Sequence, residues 1–243
     1  SIIITNLTGK IICKKIILNA GSLTDPVNVD KLRRFKDSDL IDQLNQYIQS
    51  DPSNRSELTK EALAISESDK EILVPCRDER ELILSMGHEF GRDDVFFINT
   101  FNGYDFDERY VIARSIYNSC FVKYLKLSCP ILNGDIQTIL YNWKFNGTMK
   151  SAAESLTNLV QMAYPWKFSI DTKVYVTKMN EDIAKNDTGI SVSQSLNAML
   201  HFWGIQNENG NEAQKIEMPY TELMEIWRKR NSEGMIEVLE YCI

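Results

Sequence analysis

Histidine is nearly absent. The 243 residues hold two, His88 and His201, far apart in the chain. Histidine-based metal centres and nucleophile–base triads are therefore poorly supplied, and each histidine reads as an ordinary surface or core residue. Cysteine is sparse and unpatterned: the five (Cys13, Cys76, Cys120, Cys129 and Cys242) are odd in number and include no Cys-x-x-Cys pair. Such a set argues against a disulfide framework or a zinc site and for a reducing, intracellular setting. The four Asn-x-Ser/Thr sequons, beginning at Asn6, Asn54, Asn146 and Asn186, then read as chance. No apolar run approaches the roughly 20 residues of a membrane span, and no basic-then-apolar signal segment opens the chain, so no membrane is expected among its partners. Positive charge is also short, with 27 Lys and Arg against 34 Asp and Glu and a net charge of −7. That balance is awkward for direct grip on phosphates. It suits a site that reaches an anionic substrate through divalent metal, or one domain of a larger protein whose basic surface lies elsewhere.

The residues present spell a mixed α/β domain. Ser1–Thr5 and Lys10–Leu18 are β-branched runs joined by Asn6-Leu7-Thr8-Gly9, which predicts a hairpin. Residues 21–70 are polar, with breakers at Pro26 and Pro52. They read as an insertion or long connection holding one helix, Asp37 to Ile48, with Leu40, Ile41, Leu44, Tyr47 and Ile48 on its apolar side. A short strand at Ile72-Leu73-Val74 precedes a helix from about Asp78, whose Leu82, Ile83, Met86 and Phe90 share a face. Val95 to Thr100 is nearly all apolar, as in a central strand buried on both faces. The following helix carries Tyr110, Val111, Ile116 and Tyr117. Further strands are expected at Phe121–Leu127 and Ile136–Trp143, with turns at Asn133-Gly134-Asp135 and Phe145-Asn146-Gly147. A helix is expected at Met149–Met162, and a strand running into a helix or loop at Phe168–Val176. Three helices close the chain. One starts near Ser193 and stops at Gly204, one opens at Pro219, and the last is capped by Ser232. Cys242 reads as a core residue of that last helix, since no base accompanies it.

Thr100-Phe101-Asn102-Gly103-Tyr104-Asp105-Phe106-Asp107-Glu108-Arg109-Tyr110-Val111 leads from the apolar strand through a polar turn into a helix. A carboxylate at Asp107 suits a helix start, where unpaired N–H groups and the positive dipole end favour it. Asp105 competes as the cap, and Asn102-Gly103 is an ordinary turn dipeptide. By local pattern an N-cap and a metal ligand both remain open. The stretch resembles the second exonuclease motif of family B DNA polymerases, Asn-x-x-x-Phe-Asp, in the variant with Thr-Phe-Asn-Gly before it and Arg114 after it that is most like the polymerases of large DNA viruses such as poxviruses. Its surroundings fall in the family's order. Val74-Pro75-Cys76-Arg77-Asp78-Glu79-Arg80-Glu81-Leu82 resembles the strand and helix before the motif. Ser195-Leu196-Asn197-Ala198-Met199 is similar to the family's Ser-Leu-Asn helix, and Glu240-Tyr241-Cys242-Ile243 resembles the start of its third motif.

The resemblance covers about residues 74–243, patchily through 132–166. It implies a ribonuclease H-like fold with a central mixed sheet flanked by helices, acting as the proofreading 3′→5′ exonuclease domain of a larger polymerase. It implies four acids and a tyrosine holding two Mg²⁺ (or Mn²⁺) ions about 4 Å apart for phosphodiester hydrolysis. Asp107 matches the second-motif metal ligand, Tyr241 the tyrosine that orients the attacking water, and Asn102 the residue that touches the single strand. Phe101 matches a position that packs against terminal bases, with core packing an equal alternative. Asp171 resembles an acid at the end of the family's next strand, supporting the site or capping a helix. The implied partners are the single-stranded 3′ end of a primer–template, the rest of the polymerase chain and a processivity factor. The family's first-motif Asp-x-Glu and third-motif Asp are not among these residues. Asp69-Lys70-Glu71 lies in the wrong place to replace the former, and Glu79-x-Glu81 lies on a helix, where i and i+2 do not share a face. The expectation is a fragment inactive alone, with the missing acids beyond both ends. A degenerate exonuclease fold that binds nucleic acid or scaffolds a polymerase is the alternative, and an unrelated acidic α/β interaction domain a third.

Overall fold

The computed structural model describes residues 2–6, 8–32, 38–129, 144–150, 156–161, 167–183, 195–206, 210–213, 218–229 and 231–242. These form a mixed α/β chain of two compact units, Ser1–Glu89 with Glu217–Ile243, and Phe90–Ile216.

In the first unit, β1 (Ile2–Thr5) and β2 (Ile11–Asn19) form the expected antiparallel hairpin. Asn6 shapes its turn, accepting the Thr8 and Lys10 N–H groups on Oδ1, and Gly9 supplies a φ of 83°. β3 (Glu71–Cys76) joins β2 in parallel, giving the order β1-β2-β3. Helix α1 (Ser38–Gln49) buries all five apolar positions read from its spacing. With Ile16, Leu18, Leu23 and Leu73 they form one side of the core, so residues 21–70 contribute directly to it. A second helix in that stretch, α2 (Arg55–Ala64), has no apolar stripe to announce it. Its buried Thr59 places Oγ1 2.6 Å from Pro75 O, so a hydroxyl anchors it to β3. A close approach of backbones holds the end of β2: Ala20 N donates to Cys76 O, and a Cβ on Gly21 would stand 1.6 Å from Arg77 O.

α3 (Glu79–Phe90) starts where expected, with Asp78 Oδ1 accepting the Glu81 N–H at 2.7 Å. Its buried residues are Ile83, Ser85, Gly87 and Glu89, which flank the expected face, while Leu82, Met86 and Phe90 on that face are half-buried. Lys15, on β2 and 0% exposed, donates from Nζ to Leu63 O and to Glu89 Oε1, each at 2.7 Å, tying β2, α2 and α3 together. α8 (Tyr220–Lys229) and α9 (Ser232–Cys242) complete the unit, and Met235, Ile236 and Leu239 enter the same core as α1. The cap of α9 is Asn231, whose Oδ1 accepts the Gly234 N–H. Ser232 lies inside the helix and donates its hydroxyl to Asp25 O.

In the second unit, β4 (Phe97–Thr100) pairs in parallel with β7 (Phe168–Asp171), Phe97 opposite Phe168 and Thr100 opposite Asp171. β4 is not buried on both faces. Ile98 points inward, while Phe96 and Phe97 are 61% and 52% exposed and Phe97 stacks on Phe168. β3 is the strand covered on both sides. α4 (Glu108–Tyr117) buries Glu108 and Ser115; of its apolar residues Val111 is half-buried and Tyr110, Ile116 and Tyr117 are exposed. Residues 121–128 form a helix, α5 (Phe121–Ser128), and not a strand; Tyr124, Leu125 and Ser128 are buried at helical spacing. β5 (Lys144–Lys150) runs through Asn146-Gly147 with a register irregularity where a turn was expected. β6 (Leu156–Gln161) pairs with it antiparallel where a helix was expected, so β-branched and cross-strand pairing outweighs the apolar spacing. The expected strand at 136–143 and turn at 133–135 lie outside the described residues. β7 runs straight into α6 (Thr172–Ile183). α7 (Leu196–Phe202) is capped by Ser195 Oγ accepting the Ala198 N–H, and ends at Gly204 with φ 60°. No helix among the described residues is long and apolar enough to cross a membrane.

Candidate functional site

β4 and β7 are parallel neighbours, so their carboxyl ends meet at one edge, where open α/β sheets bind ligands. The chain leaves β4 through Phe101 and Asn102. Asn102 takes the left-handed conformation, φ 67° and ψ 19°, which asparagine adopts more readily than most residues. Residues Gly103–Asp107 then form a π-helical turn, closed by the Glu108 N–H donating to Gly103 O, and lead into α4. Such turns recur at functional sites. Gly103 is required by packing, because a Cβ there would stand 2.3 Å from Thr100 Oγ1.

This turn corrects the reading of Asp107 as a helix cap. The helical backbone begins at Gly103, so Asp107 is already inside it, with φ −66° and ψ −46°, and its side chain makes no capping bond. Its carboxylate has no hydrogen-bond or ion-pair partner among the described residues, although the side chain reaches solvent. Protein packed around the carboxyl raises its pKa above the ordinary carboxylate value, and the charge of Asp171 raises it further. The Asp105 side chain lies outside the described residues.

The acid that organises the corner is Asp171, at the last position of β7 and 4% exposed. Its Oδ1 accepts the Asn102 N–H at 2.9 Å and the Lys173 N–H at 3.0 Å, and its Oδ2 accepts the Tyr104 N–H at 3.0 Å. One carboxylate thus caps α6 and clasps both sides of Gly103. Lys173 Nζ donates to Asn102 Oδ1 at 2.9 Å, and Thr172 Oγ1 donates to Asn99 Oδ1 at 2.5 Å. Tyr104 donates its hydroxyl to Ser169 O at 2.6 Å. Burial raises its pKa, opposed by the Ser169 side chain. Glu108, also buried, lies 3.4 Å from Ser169 Oγ.

Phe101, Asn102 and Asp107 therefore lie on one loop, with Phe101 and Asn102 half-buried and Asp107 exposed. Tyr241 belongs to α9 of the first unit, and its side chain lies outside the described residues. Sequence reasoning named Asp171 without placing it in the site. It missed Lys173, whose contact with Asn102 spans 71 positions in sequence and leaves no local signal. As a test of metal chemistry, the free, hard oxygen donor at Asp107 fits one ligand position for a divalent cation. Asp171, with both oxygens held by backbone N–H groups, does not supply a second. No group of three or more His, Cys, Asp or Glu side chains able to hold a metal occurs among the described residues. The chain matches no protein-family model, and no curated protein matches it.

Proposed function

We propose that this chain is part of the 3′→5′ proofreading exonuclease domain of a family B DNA polymerase, built on a ribonuclease H-like plan and acting on the single-stranded 3′ end of a primer–template. The observation that carries the reading is the Asp107 carboxylate. It has no capping bond, is partly desolvated beside a second acid, and sits where a strand hands over to a helix. An unpaired carboxylate held in such a place costs stability, and ligand binding is a physical reason to keep it. The left-handed Asn102 five residues earlier adds support, since its backbone is held by a buried acid.

In this reading Asp107 supplies one oxygen ligand, Asn102 contacts the strand and Phe101 packs against terminal bases. Bound Mg²⁺ or Mn²⁺ would supply Lewis-acid activation of water and charge stabilisation at the leaving oxygen. The remainder of the polymerase chain and a processivity factor are the partners this reading carries with it. Asp107→Ala in the full-length polymerase is expected to abolish removal of 3′ nucleotides while leaving polymerisation largely intact; retained exonuclease activity would refute the assignment.

A second reading, a degenerate exonuclease fold that binds nucleic acid or scaffolds a polymerase, is favoured by the lack of a carboxylate cluster among the described residues. Asp107→Ala separates the two, because a scaffold has no hydrolysis to lose.

A further inference from the structure

The corner between β7 and α6 brings a second functional group to the Asp107 loop. Lys173 Nζ lies 2.9 Å from Asn102 Oδ1. An ammonium only donates, so this contact settles which end of the Asn102 amide is occupied: the oxygen is taken and the NH₂ is left over. That NH₂ has no hydrogen-bond partner among the described residues, and Lys173 makes no salt bridge among them. Asp171, the nearest acid in sequence, has both oxygens engaged by backbone N–H groups. The result is an ammonium and an amide NH₂ side by side, both half-buried, offering donors and no acceptor. Helix stability does not account for the lysine. It is the second residue of α6, where a cation opposes the helix dipole.

We propose that Asn102 and Lys173 form a subsite for a phosphate oxygen of a single strand. Lys173 orients the Asn102 amide and adds positive charge, and Asp171 positions both by clasping the backbone from behind. The identity of the strand rests on the exonuclease reading, whereas the donor-only character of the pair stands on the geometry alone.

The test is binding of a 5′-fluorescein-labelled single-stranded oligothymidylate to the full 243-residue chain, read by fluorescence anisotropy across a salt series. Lys173→Met is expected to weaken binding about three- to tenfold at low salt and to flatten the slope of log K against log salt by about 0.7, one single-strand phosphate contact. Lys173→Arg keeps the charge and is expected to keep the slope. Circular dichroism of each variant checks that the fold is retained. A purely structural role for Lys173 would lower the melting temperature without moving the slope. Unchanged affinity and slope in Lys173→Met overturn the subsite and leave the role of Asp107 standing. So does a fall in affinity at constant slope. If the unaltered chain fails to bind at low salt, the subsite falls together with the strand-binding part of the exonuclease reading.

Discussion

Replacing Asp107 by alanine separates a helix cap from a ligand by stability alone. Were the carboxylate capping α4, its loss would cost about 1 kcal/mol. With a urea m-value of about 2 kcal/mol/M that is a fall of about 0.5 M in the unfolding midpoint. The structure contains no such bond to lose. It contains a carboxyl whose pKa is raised by burial and then by Asp171. A raised carboxyl binds its proton more tightly in the folded state. Its contribution is therefore most favourable below the unfolded value of about 3.9, declines as pH rises through the interval up to the folded value, and stays unfavourable at neutral pH. Removing the group should lift that burden at pH 7 and change little in acid. Asp107→Ala is thus expected to leave the urea midpoint unchanged or raise it at neutral pH, with a few tenths of a kcal/mol more from alanine's helix propensity. Asp107→Asn, which removes only the charge, should show the same sign, and its difference from the unaltered chain should vanish at about pH 3. Far-UV circular dichroism across urea at both pH values is the assay. A midpoint about 0.5 M lower for Asp107→Ala at neutral pH would show that the residue is a structural cap and would remove the main support for a ligand role. Unchanged or raised stability combined with lost exonuclease activity is the pattern expected of a residue kept for function at a cost to the fold.

Two further perturbations test the framework that holds the site. Lys15→Met removes the cation bonded to buried Glu89, and should cost about 3–5 kcal/mol, whereas Lys15→Met with Glu89→Leu should recover most of that loss. Equal destabilisation of the single and double variants in urea would show that the pair is not coupled. Gly103→Ala drives a methyl into Thr100, and overpacking of this kind costs about 1–3 kcal/mol. A thermal melt of Gly103→Ala indistinguishable from the unaltered chain would disprove the close contact.

Elements whose local pattern and tertiary environment agree were legible in advance. Helix α1 is the plainest, because its five apolar positions are the five that the core needs. The first hairpin and the strand at β7 follow from turn chemistry and apolar pattern carried by adjacent residues, whereas the Ser195 cap, two positions after the expected start, was not read. Where they disagreed, long-range partners decided. Residues 121–128 have strand-like composition and are a helix. Residues 156–161 carry helix-compatible spacing, but β5 recruits them as a strand. α2 has only a weak apolar pattern, and a threonine hydroxyl and a lysine from β2 hold it together with the packing of Leu58, Ala62 and Leu63. Of the candidate site, Phe101, Asn102 and Asp107 could be named because they are contiguous, whereas Lys173 could not.

By itself the sequence determined that this is a mixed α/β chain short of histidine and basic charge, with an Asn-x-x-x-Phe-Asp stretch between an apolar strand and a helix. It left Asp107 divided between cap and ligand, because both ask for the same residue at the same place. Tertiary structure decided against the cap. The π-helical turn starts the helix at Gly103, and Asp171, brought in from β7, takes the N–H groups of Asn102 and Tyr104. With the helix already under way at Asp107, the N–H groups that follow it belong to the helix interior, and the Asp107 carboxylate makes no capping bond. That division of work depends on strand pairing between residues about 70 apart, which no local pattern encodes.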